Sequence, residues 1–330
     1  MDTQLLILAI GALGFGMYLL FKGGDWTIDA AVFIARKFGI SPLVIGFTIV
    51  AFGTSLPELL VSVNANLAGS PGIAIGNVIG SNIANILFVI GATASVATLV
   101  AVRKAILRDV VMMMMATVLM MYFMMSGAIT QGAGMLMIAV LAFYVIWQYW
   151  AASKGKIEIE APDAPEFKNM FMAALFLALG LASIALGAEF LVRGAKTAAS
   201  IIGVPEDVIG LSVIAIGTSL PELSTCLIAA MKKQTDIIVG NILGSNVFNI
   251  LMIMGVTSIV KPIDNSAIAE QVVKLDIWVM FGVSALFSTL LLIFGKINRP
   301  MGILFLIGYV FYIGLIYALY LSSDMPMLAS

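Results

Sequence analysis

The chain has 330 residues, 62% hydrophobic and 11% charged, with a net charge of −1. A soluble domain carries about 25% charged residues. Apolar runs here reach from the first residues to the last, so the chain reads as a polytopic membrane protein with room for about ten spans of ~20 residues. The charge balance leaves no nucleic-acid footprint. With no histidine, imidazole metal sites and histidine proton relays are excluded, and a single cysteine, Cys226, excludes an intrachain disulfide or a Cys-rich metal site.

The start, Met1-Asp2-Thr3, lacks a basic n-region and no small-residue cleavage pattern follows, so the first apolar stretch is read as a span. Predicted spans of the first half are 3–22, 42–66, 73–99, 109–126 and 132–152. Gly23 and Gly187 leave room for the first and sixth helices to continue as long, tilted elements. The fourth span is rich in methionine (112–115, Met120, Met121, Met124, Met125). No Cys or His accompanies them, so lipid contact or adaptable packing is the reading, not a copper path. Trp147, Tyr149 and Trp150, just before Lys154, read as an interfacial belt. Residues 153–168 are the most polar stretch and read as a cytoplasmic linker between a first half, 1–152, and a second, 169–330. Its acids Glu158, Glu160, Asp163 and Glu166 lack EF-hand spacing and read as a solvated loop. The second half is predicted to span at 170–192, 207–231, 237–260, 275–294 and 300–321.

The halves are copies. At an offset of 164, residues 51–59 match 215–223 at every position but Phe52 against Ile216. Gly76-Asn77, Gly80-Ser81-Asn82, Asn85-Ile86-Leu87 and Gly91 recur as Gly240-Asn241, Gly244-Ser245-Asn246, Asn249-Ile250-Leu251 and Gly255. Five spans per half is odd, so the copies insert with opposite topology. With the N-terminus outside, 13 of the 17 Lys and Arg fall in inside loops, leaving only Arg193, Lys196, Lys261 and Lys274 outside. The positive-inside rule therefore puts both termini on the outside. The predicted fold is an all-α integral membrane protein of ten transmembrane helices, in two inverted five-helix repeats with the second and seventh helices discontinuous. Inverted repeats with broken helices and midplane sites mark secondary transporters.

The duplicated hexapeptide Gly-Thr-Ser-Leu-Pro-Glu carries the chemistry. Glu58 and Glu222 are carboxylates inside otherwise apolar spans, and such groups are costly enough to mark function. Pro57 has no N–H, so the carbonyl of Gly53 loses its helical partner, and unwinding there would also offer the carbonyls of Thr54 and Ala51. Glu58 lies four residues after Thr54, on the same helical face. The seventh span repeats this with Ala215, Gly217, Thr218 and Glu222. Two carboxylates neutralise one divalent ion, and the donors are all hard oxygens, as Ca2+ prefers. Asn77, Ser81 and Asn85, with Asn241, Ser245 and Asn249, form polar stripes. The Gly76-x-x-x-Gly80 and Gly240-x-x-x-Gly244 spacings allow close helix approach beside them. Asp25 and Glu189, at the same offset, read either as helix-end charges or as part of a gate or ion path.

Gly-Thr-Ser-Leu-Pro-Glu with Gly-Asn-x-x-Gly-Ser-Asn-x-x-Asn, present twice, closely resembles the α-repeats of the sodium/calcium exchanger family, in the compact form of prokaryotic members, over the whole chain. The resemblance implies that Glu58, Glu222 and the carbonyls of Thr54 and Thr218 hold Ca2+. It implies that Ser55, Ser219, Ser81, Ser245 and the carbonyls of Ala51 and Ala215 help bind Na+, and that Asn85 and Asn249 line the centre. The first and sixth helices would slide across the other eight. Potassium-dependent members typically carry an acid where this chain has Asn249, and proton-coupled members an extra acid in the Gly-Asn motif, where 77–80 and 241–244 have none. The implied activity is Na+/Ca2+ antiport, electrogenic and K+-independent, with Na+, Ca2+ and the bilayer as the partners and no prosthetic group. The implied location is a prokaryotic inner membrane. A proton-coupled cation exchanger, a passive channel and a structural membrane protein are the alternatives.

Overall fold

A computed structural model of the chain describes residues 3–154, 167–201 and 217–323. Ala215, the linker acids and the first part of the seventh span lie outside the described residues. The helices are α1 (Thr3–Phe38), α2 (Pro42–Thr54), α3 (Leu56–Leu67), α4 (Pro71–Val96), α5 (Arg103–Ser126) and α6 (Gln131–Lys154) in the first half. The second half has α7 (Met170–Ile201), α8 (Leu220–Met231), α9 (Thr235–Val260), α10 (Val272–Phe294) and α11 (Arg299–Ser323). Among the described residues, 8 helices are long and apolar enough to cross a membrane. The pair α2–α3, bent by 42° at its break, makes a ninth, and α8 is a shorter apolar helix.

The repeat-bearing helices form the centre. Residues 237–255 of α9 are buried without exception, and α4 buries Ile75, Ile79, Ile83, Ile86 and Ile90 along one stripe at helical spacing. The outer helices are apolar on their exposed faces: Phe143, Phe171 and Phe311 are each more than 70% exposed. Such surface is a liability in water and is what a bilayer covers. The chain is a multi-pass membrane protein.

Two of the predicted spans are longer than their apolar cores. Helix α1 runs unbroken through Gly23 for 36 residues and α7 through Gly187 for 32. At ~1.5 Å per residue both exceed the ~30 Å hydrocarbon core, so each either tilts or extends beyond it. Asp25 and Glu189 are therefore mid-helix groups and not helix ends, and Lys22 lies on an exposed helical face instead of in a loop. Helix α5 likewise starts at Arg103, not near 109, which places Asp109 within a buried turn.

The antiparallel pair α1/α7 is joined by a seam of small residues at heptad spacing. A Cβ added at Gly16 would lie 2.7 Å from the Gly187 carbonyl oxygen, and one at Gly23 would lie 2.7 Å from that of Gly180. One at Gly194 would come 2.9 Å from that of Ala9. Only glycine allows this backbone approach, so the two helices form one tight unit.

The halves also interlock outside the helices. Strand β1 (Leu99–Val100) pairs antiparallel with β2 (Lys296–Ile297), Leu99 opposite Ile297. At the opposite face Ile129 bridges Ile263. Leu99 and Ile263 are repeat mates, so each half lends the same loop to the other. These short pairings are the only strands among the described residues of an otherwise helical fold.

Candidate cation site

The hexapeptide breaks its helix where the sequence places the proline. Ser55 (φ −87°, ψ 2°) separates α2 from α3, and Ser219 (φ −89°, ψ 2°) precedes α8 in the same conformation. Pro57 and Pro221 then occupy the first turn of α3 and α8, where a missing N–H costs nothing. Glu58 and Glu222 follow in the same turn. The carboxylates thus lie at the positive ends of two half-helices, which favours negative charge. The Ser-x-x-Glu spacing is that of a capping box. Neither serine hydroxyl caps its own helix, however, so both remain available to other groups.

The two copies meet. Ser55 Oγ donates to Glu222 Oε1 at 3.5 Å, and Thr54 Oγ1 donates to Asn241 Oδ1 at 3.5 Å, both across the repeat boundary. Glu58 and Glu222 are close enough to repel each other, and both are 1% exposed. The carboxylate of Glu222 is faced by the hydroxyls of Thr54, Ser55 and Ser245.

Around this pair lies a set of buried polar atoms with no hydrogen-bond partner among the described residues. They are Glu58 Oε2, Glu222 Oε2, Ser219 Oγ, Ser245 Oγ and both amide atoms of Asn85 and of Asn249. Buried polar groups are normally paired. Eight orphaned atoms grouped on repeat-related residues are what a site awaiting a ligand looks like. Their chemistry suits a hard cation: two anionic oxygens supplemented by hydroxyl and amide oxygens. No cluster of three or more His, Cys, Asp or Glu that could hold a metal ion exists among the described residues. Neutral oxygens must therefore complete any coordination shell around the two glutamates.

The helix geometry that aims these groups is duplicated too. In both α4 and α9 the backbone widens to a π-helical stretch beginning at the asparagine, at Asn85–Ile90 and Asn249–Met254. Such widenings concentrate at functional sites because they re-aim side chains. Gly240 and Gly244 let α9 press against α2: a Cβ at either would overlap the carbonyl oxygen of Leu43 or Phe47. From the other side, a Cβ at Gly46 would come 2.6 Å from the Ile237 carbonyl oxygen.

Of the other predicted residues, Ser81 is buried on α4, one turn before Asn85. The Ala51 carbonyl accepts from Ser55 N–H at 3.0 Å and from Thr54 Oγ1 at 3.4 Å, so the helix stays wound up to Thr54. Thr218 is half-buried, unlike its buried mate Thr54. Asn77 serves as a support: its Nδ2 donates to the Glu58 carbonyl at 3.2 Å and to Ser62 Oγ at 2.9 Å. Its mate Asn241 donates to Cys226 Sγ at 3.5 Å.

Sequence reasoning passed over a second repeat-related pair of carboxylates. Asp109 on α5 accepts at Oδ1 from the Tyr144 hydroxyl and, at 2.8 Å, from Gln148 Nε2. Asp276 on α10 accepts from Tyr312 at 3.0 Å and Gln271 at 3.3 Å. Both tie neighbouring helices together. The signal was a shared Asp and Tyr about 35 residues apart in each half, but at offsets of 167 and 168 that slip out of the 164-residue alignment.

Two inverted repeats that bring broken-helix glutamates to one buried, hard-oxygen site define a cation antiporter of the secondary-transporter type. The profile described as "Sodium/calcium exchanger protein" matches residues 8–150 and 172–318, and the chain belongs to this family. It is 37% identical over 308 residues to the putative antiporter CaxA of Alkalimonas amylolytica, covering 90% of this chain and 95% of that protein. It is 29% identical over 333 residues to the sodium/calcium exchanger MaX1 of Methanosarcina acetivorans, covering 89% of this chain and 94% of that protein. Among solved structures, the sodium-calcium exchanger NCX_Mj of Methanococcus jannaschii superposes with a TM-score of 0.80 at 32% identity, covering 94% of this chain and 99% of that one. The shared architecture is the ten-helix inverted repeat.

Proposed function

We propose that the protein exchanges Na+ for Ca2+ across the membrane by alternating access at the Glu58/Glu222 site. The observation that carries this reading is the set of orphaned buried oxygens on both repeats, gathered around two and only two site carboxylates. Glu58, Glu222 and the carbonyls of Thr54 and Thr218 would hold Ca2+. Ser55, Ser219, Ser81, Ser245 and the carbonyls of Ala51 and Ala215 would supply Na+ ligands around the same glutamates, with Asn85 and Asn249 between them. Competition for the shared carboxylates is then the coupling. Two carboxylates match one Ca2+; with the three Na+ per Ca2+ that the family resemblance implies, one positive charge would be left uncompensated, and the exchange would be electrogenic. No third acid stands at Asn249, which fits K+ independence. The excess of Lys and Arg in one set of loops orients both termini outward across a prokaryotic inner membrane.

The glycine seam makes α1/α7 the natural moving part. It is a unit bound tightly within itself, and its contacts with the rest include apolar ones such as Gly24 on Ile228, Gly53 on Leu181 and Gly217 on Val192. Sliding it would open the site to one side at a time.

The test is 45Ca2+ uptake into proteoliposomes loaded with Na+, with K+, or with a proton gradient, at clamped membrane potential. Uptake from Na+-loaded vesicles alone is expected. Uptake driven by protons alone would replace the coupling ion, and uptake without any counter-gradient would indicate a channel.

A further inference from the structure

The α1/α7 unit is held to the core by charge at one end. Lys232 caps the C-terminus of α8, and its ammonium lies 2.5 Å from Asp25 and 2.5 Å from Asp29, both on α1. It also reaches the Asp25 carbonyl at 3.3 Å. All three side chains are partly withdrawn from solvent, 27% to 37% exposed. Helix α8 is the half-helix that carries Glu222 in its first turn, so this link is at the other end of the helix that presents a site carboxylate.

The repeat does not copy the link. The mates of Asp25 and Asp29 are Glu189 and Arg193, which pair with each other on the exposed face of α7, and the mate of Lys232 is Ala68. Asp25 and Asp29 are one helical turn apart, about 6 Å along α1. They form two rungs for one ammonium, and the positions a further turn out on either side, Phe21 and Phe33, carry no charge.

The geometry points to Lys232, Asp25 and Asp29 as a clasp that sets the balance between the two facing states of the exchanger, by stabilising the one in which α1 rests against the end of α8. The inference rests on the proposed alternating-access cycle and adds what biases it. Both rungs are occupied in this state. A slide of α1 by one turn leaves one rung at most, so the clasp resists motion in either direction and allows a single step. Because the repeat mates Glu189, Arg193 and Ala68 form no such link among the described residues, the two faces of the membrane are made unequal by residues that never touch the transported ion.

The experiment compares the wild type with Lys232→Gln, Asp29→Asn and the exchanged pair Asp29→Lys/Lys232→Asp. The readouts are half-saturating Ca2+ on each face of vesicles of known orientation, and the distance distribution between spin labels on α1 and at the end of α8. Each single change is expected to move the half-saturating Ca2+ in opposite directions on the two faces, by roughly two- to fivefold for a link of this exposure, and to broaden the label distances. The exchanged pair should restore both. Shifts of the same sign on both faces, or unchanged distances in the folded single variants, would overturn the clasp, as would failure of a folded exchanged pair to restore. The label distances do not depend on which ions are carried, so a wild type without Na+-driven flux would sink the exchange reading and leave the clasp still testable.

Discussion

The two copies of the signature sequence are nearly identical, yet they live in unequal surroundings. Asn241 is buried and α9 is sealed against α2 through Gly240 and Gly244, whereas Asn77 on α4 is half-buried and Gly76 is exposed. Thr54 is buried and Thr218 is not fully so. Identical residues in two packings show that the motif itself tolerates both. In the proposed cycle the repeats trade these surroundings, which is how an inverted duplication produces two states of similar energy. Symmetry is kept at the glutamates, where in the proposed cycle both halves face one ion. It is lost at the ends, where Asp25, Asp29 and Lys232 have no equivalent set.

The comparison breaks most sharply at the glutamates. If the site belongs equally to both halves, Glu58→Gln and Glu222→Gln each abolish Ca2+ flux in the proteoliposome assay. Retained flux in both variants would remove the site from these residues. A smaller effect tests the packing difference. Gly240→Leu forces a side chain into the Leu43 backbone and should destabilise the purified protein by about 1–3 kcal/mol or more in thermal unfolding. Gly282→Ala, on the exposed face of α10 with nothing within 4 Å, should be neutral or gain up to ~1 kcal/mol from helix propensity.

The smallest effect concerns the support beneath each glutamate helix, where Ser62 in one half corresponds to Cys226 in the other. Ser62→Ala removes a 2.9 Å partner of Asn77 and should cost about 1 kcal/mol. Cys226→Ser recreates the first-half arrangement, and exchange activity should persist. Loss of activity in Cys226→Ser at unchanged stability would show that the halves are not interchangeable here.

Much of this was legible in the chain because lipid is an unforgiving solvent. A proline followed by a glutamate inside an apolar span has few explanations, and its recurrence with neighbours in register leaves fewer. That logic anticipated the broken second span, and it picked out the glutamates and the polar stripes of α4 and α9 that make up the proposed site. It failed where the signal changed meaning. Gly23 and Gly187 read only as leaving room for long helices, whereas they are also the contact surface of a heptad seam, Ala9-Gly16-Gly23 against Gly180-Gly187-Gly194. Arg103, Lys104 and Arg108 looked like loop, but they occupy the first turns of α5 with their charges at the surface, Arg108 stacked over Trp147. Asp109 and Asp276 escaped because a shift of three residues in the repeat hid their kinship. The π-helical widening at Asn85 and Asn249 leaves no composition signal, since it follows from how the two halves pack.

The central claim is that Na+ and Ca2+ occupy one set of ligands built by both halves. Equilibrium 45Ca2+ binding to the purified protein, measured against increasing Na+ with K+ as the control cation, addresses it most directly. The account predicts one Ca2+ per chain, displaced steeply by Na+ and not by K+, and lost in Glu58→Gln and Glu222→Gln alike. Ca2+ binding indifferent to Na+, or surviving the loss of either carboxylate, would contradict it.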